Sequence, residues 1–211
     1  MTDPWTWVAA ERHGIADLFE GLDAEQLASP SLCDGWTLQH LLGHLTMQLT
    51  YSPPAFASAL LRTRFRFPKA IALITTERAA LPTAELVATL RDQADKHWNP
   101  PGLGVSAPLT DLLVHGVDAR YPLGIAHTAD PGAVRHSLDF VQTRRAALGT
   151  FTRKGLADGL RLDAPDIGWT HGEGPTVSGP GVLLLAAVCN RPAVVDELSG
   201  DGVAVLRARL A

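Results

Sequence analysis

The chain has 211 residues, 46% apolar and 19% charged, with a formal charge of −4. That balance is ordinary for a globular protein with a real core, and it excludes a basic nucleic-acid binder, which needs a concentrated Lys/Arg surface. No apolar run approaches the about 18 residues of a membrane span, and the start has neither the basic residues nor the apolar run of a leader, so the expectation is a cytoplasmic protein. The two cysteines, Cys33 and Cys189, form no metal or redox motif and fit a reducing compartment.

The first element is the helix of "DPWTWVAAERHGIADLFEGL". Asp3 stands at its cap, Pro4 at its first turn, and Trp7, Val8, Ile15, Leu18 and Phe19 on its apolar face. "DGWTLQHLLGHLTMQL" predicts a second helix ended by Pro53-Pro54, with Leu38, Leu41, Leu42, Leu45 and Leu49 on one stripe. Helices are expected from Pro53 to Arg64 and from Pro68 to Ala79. The basic run "RTRFRFPK" between them reads as a solvated helix end or turn. "PTAELVATLRDQADKHW" predicts a helix capped by Thr83, and "PLTDLLVHGVDARYPLG" one of about four turns. "DPGAVRHSLDFVQTRRAAL" is the last long helix. After Gly149 the glycine and proline content rises. Leu160–Leu162, Ile167–Thr170 and Thr176–Ser178 read as short strands, and "GVLLLAAVCNRP" and "VAVLRARL" as helices. A helical bundle over 1–150 and a small α/β unit over 151–211 are therefore expected.

Two histidine patterns stand out. His40 and His44 are one turn apart, but a helical wheel separates them: His44 flanks the leucine stripe and His40 points toward solvent. In "TDLLVHGVD", Asp111, His115 and Asp118 share a face at i, i+4, i+7. A carboxylate and an imidazole one turn apart can ligate one metal ion, and His44 could supply a third ligand from a facing helix. The same spacing also suits a local hydrogen bond or ion pair.

Three stretches resemble the maleylpyruvate isomerase family, mycothiol-dependent proteins of the DinB/YfiT-like metal-binding superfamily. They are "SLCDGWTLQHLLGHLTMQ", "LTDLLVHGVDARYPLGI", and the run from "DGLRLDAPDIGWTHGEGPTVSGP" to "ELSGDGVAVL". The resemblance implies a mainly α fold, a DinB-like four-helix bundle followed by a small C-terminal α/β domain. It implies a divalent metal, zinc foremost, held by His44, Asp111 and His115, with Asp111 standing where relatives carry Glu. It also implies mycothiol or a similar thiol as cosubstrate, and a metal-dependent S-transferase or isomerase acting on a small electrophile. A non-catalytic metal- or ligand-binding module of the same fold is the alternative.

Other residues are candidates by chemistry. Asp118 could orient a ligand or accept a proton, or form a surface ion pair with Arg62 or Arg120. Arg191 and Arg207 could hold a substrate carboxylate by bidentate pairing, or face solvent. Cys33, just before the second helix, could be a reactive thiol or a small apolar filler. His13, His97, His127, His136 and His171 read as structural or surface residues. The expected partners are a small thiol and an electrophilic substrate, with no nucleic acid and no membrane, and a homodimer is left open.

Overall fold

The computed structural model describes residues 2–100, 102–148 and 151–211. In chain order its helices and strands are α1 (Pro4–Glu20), α2 (Ala24–Ala28), α3 (Leu38–Thr50), α4 (Pro53–Arg62), α5 (Phe67–Ala79), α6 (Thr83–Asp92), α7 (Ser106–Arg120), α8 (Pro131–Val141), α9 (Arg144–Leu148), β1 (Arg161–Ala164), β2 (Trp169–His171), β3 (Thr176–Ser178), α10 (Gly181–Val188) and α11 (Val203–Leu210). Single 3-10 segments follow α7, at Tyr121–Leu123, and α10, at Pro192–Glu197. No helix among the described residues is long and apolar enough to cross a membrane.

The helix starts follow from local chemistry. The Asp3 carboxylate accepts from the Trp5 amide, and Pro4, with no N–H to satisfy, opens α1. Thr37 caps α3 through the His40 amide, and Asp130 caps α8 through the amides of Gly132 and Ala133. Thr83 does not cap α6; it lies inside the first turn, and its hydroxyl donates to Gln39 Oε1 at 3.0 Å. The predicted third helix stops at Arg62 rather than Arg64, because Arg64 and Phe65 turn into the left-handed region. The expected single helix through Leu148 breaks at Thr143, whose hydroxyl donates to the Phe140 carbonyl and accepts from the Ala146 amide as α9 begins.

Helices α1, α3, α6 and α7 pack pairwise as a four-helix bundle, and α5 lies along α3. The leucine stripe of α3 is buried as expected, and each such side chain contributes about 1.5–3 kcal/mol over leaving it in water. The buried guanidinium of Arg12 ties α1 to the end of α6. It donates to the carbonyls of Gln93, Ala94 and Lys96, which follow the helix end.

The C-terminal part is a three-stranded sheet of order β2-β1-β3, with β1 antiparallel to β2 and parallel to β3. Its wholly apolar helix α10 packs on α7 and α8, so one hydrophobic cluster runs from Val8 to Leu210. The boundary expected near residue 150 falls on Gly149 and Thr150, outside the described residues.

The approach of α5 to α3 rests on Gly43, next to His44. A Cβ there would stand 2.8 Å from the Ala79 amide nitrogen and 3.0 Å from the Thr75 carbonyl oxygen, both backbone atoms of α5. Gly43→Ala must part the helices, so urea denaturation should show a loss of about 1–3 kcal/mol despite the better helix propensity of alanine. An unchanged midpoint would contradict this packing.

Candidate metal centre

The site lies where α3, α7 and the end of α10 meet. His44 projects from α3, and Asp111 and His115 from successive turns of α7. One ligand atom from each lies within 4.8 Å of the other two. His115 Nε2 is 3.4 Å from Asp111 Oδ1, and His44 Nε2 is 4.0 Å from Asp111 Oδ2. The first separation is long for a charge-assisted hydrogen bond, yet it is close to the roughly 3.3 Å between two donors on one tetrahedral zinc. The imidazole rings of His44 and His115 meet edge-on at 4.9 Å, and Trp36 lies 5.0 Å from His44. The side chains of both histidines are nearly buried, and Asp111 is the most open of the three at 18%.

The other nitrogen of His115 faces the opposite way. Its Nδ1 is 2.8 Å from Asp118 Oδ2, which fixes the ring orientation and leaves Nε2 toward Asp111. Asp118 is fully buried. Its carboxylate also accepts from Arg191 Nε at 2.9 Å, Arg191 Nη2 at 2.7 Å and the Cys33 thiol at 3.1 Å. Cys33, His115 and Asp118 also lie close enough to ligate one ion. The Arg191 guanidinium puts a fixed positive charge on that carboxylate, which disfavours a cation at this second group.

Each partner is placed by a local feature of the chain. Asn190 takes a left-handed conformation (φ 68°) at the end of α10 and turns the backbone so that Arg191 reaches Asp118. The Cys33 carbonyl accepts from the Trp36 amide across a tight turn with Gly35 at φ 73°, and the Leu32 amide donates to the Asp118 carbonyl. This docks the segment before α3 against α7 and brings Cys33 to the cluster.

The electrostatics divide the histidines. Burial opposes a charged His115, but the Asp111 carboxylate and the hydrogen bonds to Asp111 and Asp118 outweigh it, holding its pKa well above the ordinary histidine value. Burial lowers the pKa of His44, and the nearby Asp111 offsets this only in part. Burial would raise both carboxyls, yet the histidines bring Asp111 far below the usual carboxylate range, and His115 with Arg191 does the same for Asp118.

These placements alter several expectations. Asp118 is not a surface ion-pair residue: Arg62 pairs with Glu77, and Arg120 donates to the carbonyls of Gly14 and Gly116. With four donors on its carboxylate, Asp118 fits an orienting role and not that of a proton acceptor. Arg191 does reach the site, but its guanidinium fork is spent on Asp118 and a third N–H on the Cys189 carbonyl. It therefore offers a positive field rather than a free bidentate clamp. Arg207 is not brought in; it is exposed and pairs with Asp196 at 2.7 Å. His40 is half-buried against its own cap, with Nδ1 2.8 Å from Thr37 Oγ1. Cys33 proves part of the cluster and not mere filler, and His127 has a partner in Glu11 at 3.1 Å. Two cavities, of about 430 and 190 Å³, lie elsewhere and include none of His44, Asp111 or His115.

Residues 8–97 match the family model of the mycothiol maleylpyruvate isomerase N-terminal domain. That span contains α3 and His44; α7 and Arg191 lie beyond it. Across 95% of the chain the fold matches a crystal structure of a histidine-to-alanine mutant of the mycothiol-dependent maleylpyruvate isomerase, at 17% identity, 96% coverage of that chain and a TM-score of 0.53. The crystal structure of the mycothiol-dependent maleylpyruvate isomerase itself aligns over the same shares at 17% identity, with a TM-score of 0.44. No curated protein sequence matches the chain. The N-terminal segment thus resembles the mycothiol maleylpyruvate isomerase N-terminal domain, and the chain as a whole, bundle and small sheet together, has the fold seen in the mutant enzyme.

The histidine asymmetry fixes a pH dependence. In the metal-free protein the carboxylates of Asp111 and Asp118 favour the protonated form of His115, whereas burial favours neutral His44. A metal held through His115 Nε2 would have to expel that proton, so metal affinity should rise about tenfold per pH unit below the His115 pKa and level off above it. Zinc competition titrations from pH 6 to 8, with calorimetry in two buffers of different ionisation enthalpy, should report about one proton released. A flat profile would contradict this assignment.

Proposed function

We propose that this protein is a divalent-metal enzyme that activates a low-molecular-weight thiol of the mycothiol type and adds it to a small electrophile, as an isomerase or an S-transferase. The observation that carries the reading is the convergence of His44, Asp111 and His115. Among the described residues no fourth His, Cys, Asp or Glu joins the group, which leaves room for an exogenous ligand, as in catalytic rather than structural zinc sites. The domain type of residues 8–97 and the fold of the mutant maleylpyruvate isomerase support the choice of thiol and reaction. Two free thiols, Cys33 and Cys189, fit work in the cytoplasm.

An ion held by the two imidazoles and the Asp111 carboxylate, zinc foremost, would supply Lewis acidity and favour the thiolate form of a bound thiol. The thiolate forms a C–S bond to one carbon of a conjugated cis double bond, and the π electrons move onto the adjoining carbonyl as an enolate. Rotation about the resulting single bond, followed by return of the electrons and cleavage of the C–S bond, leaves the trans isomer and regenerates the thiolate. In a transferase the enolate carbon takes a proton and the thioether remains. Arg191 places positive charge beside the developing enolate or a substrate carboxylate. Asp118 holds both Arg191 and His115 in register. Asp118→Asn would keep the shape but weaken both bonds, and by analogy with other outer-shell changes it should cost about 10–100-fold in metal affinity or turnover.

The deciding measurement is bound zinc per chain in wild type, His44→Ala and His115→Ala. Wild type should carry about one equivalent and each variant should lose most of it. Unchanged metal in both variants removes the reading. So does the absence of thiol conjugates or isomerised product from fully loaded protein across a broad panel of electrophiles.

A further inference from the structure

The side chains between α3 and α7 form a square with four corners. His44 and Gln48 are one turn apart on α3, and Asp111 and His115 one turn apart on α7. His44 meets His115 ring to ring at 4.9 Å, while Gln48 Nε2 donates to Asp111 Oδ2 at 2.9 Å. The two helices therefore present their pairs in antiparallel order, and residue 48 occupies the corner where the backbone would place a fourth ligand. The chain puts an amide there. An ionised carboxylate only accepts hydrogen bonds, so it is the amide nitrogen that faces Asp111. An N–H turned into the site is a donor and does not ligate. The bond also engages Oδ2, leaving Oδ1, 3.4 Å from His115 Nε2, as the freer oxygen of a side chain one methylene shorter than glutamate.

We propose that Gln48 is the positioning residue that keeps this centre at three protein ligands. It engages one oxygen of Asp111 and puts a non-ligating amide N–H where a fourth protein ligand would otherwise stand, so that the remaining coordination position is left to an exogenous thiol. The inference rests on the metal reading above and specifies how the open position is maintained. Outer-shell hydrogen bonds of this kind set ligand orientation and typically change metal affinity 10–100-fold when removed.

Co²⁺ is a suitable probe, because its visible bands report coordination number and a near-ultraviolet sulfur-to-cobalt band reports a bound thiol. Wild type, Gln48→Leu and Gln48→His are titrated with Co²⁺ and then with N-acetylcysteine. Far-ultraviolet circular dichroism and the thermal midpoint check that each variant folds. Gln48 is only partly buried, and the Leu variant decides the matter if the His variant does not fold. Wild type should bind Co²⁺ and gain the sulfur band on adding thiol. Gln48→Leu should bind Co²⁺ about tenfold more weakly with a changed visible spectrum. Gln48→His should bind about tenfold more tightly and lose the thiol response. Wild-type affinity and spectra in Gln48→Leu, or an undiminished thiol response in a folded Gln48→His, would overturn this inference and leave the metal reading standing. Failure of wild type to bind Co²⁺ would overturn both.

Discussion

A carboxylate with no access to water has to be neutralised where it stands, and the centre of this molecule is arranged around that requirement. Asp118 is fully buried, and an uncompensated charge there would cost several kcal/mol. Its four donors come from three separate parts of the chain: His115 on its own helix, Cys33 in the segment before α3, and Arg191 after α10. Each contact fixes one of those parts against α7. The burial of α10 on α7 and α8 supplies the apolar side of the same junction. The ring orientation of His115 is thus inherited from a charge balance that spans nearly the whole sequence.

His115 is the hinge of this arrangement because its two nitrogens serve different masters. Nδ1 is committed to Asp118 and Nε2 is left for Asp111 and whatever joins it. The outer face is thereby electrostatically settled, with Arg191 answering Asp118. The inner face holds Asp111 between two imidazoles and one amide. Position on one side or the other of a single ring separates a closed ion-pair network from the candidate ligand group.

Much of this was legible in the sequence, and the reasons are local. Asp3-Pro4 announces the start of α1 through chemistry confined to a few residues, and the α3 stripe gives its buried face by period alone. The i, i+4 pair of Asp111 and His115, and the wheel position of His44, needed only helical geometry. What escaped reading depends on long-range closure. The Asp118–Arg191 pair joins residues 73 positions apart and relies on the left-handed Asn190, for which the sequence offers only an Asn after an apolar run. Cys33 is placed by a turn whose docking on Asp118 no periodicity encodes. Arg207 had the right charge but sits on a helix face turned to Asp196 and solvent, and charge alone carries no direction. The α8–α9 break hangs on one hydroxyl of Thr143.

The turn at Asn190 has a consequence for the order in which the molecule assembles. Before the segment after residue 150 docks, α7 holds Asp118 with only the neighbours the bundle itself provides, and its strongest counter-charge is absent. Within the bundle Asp118 has only His115 and Cys33 as donors, so docking of α10 gains a charge contact that apolar packing alone would not make specific. Collapse of the C-terminal part and completion of the centre are on this view a single cooperative step. The contact that closes the fold falls on the same carboxylate that turns His115 Nε2 toward Asp111.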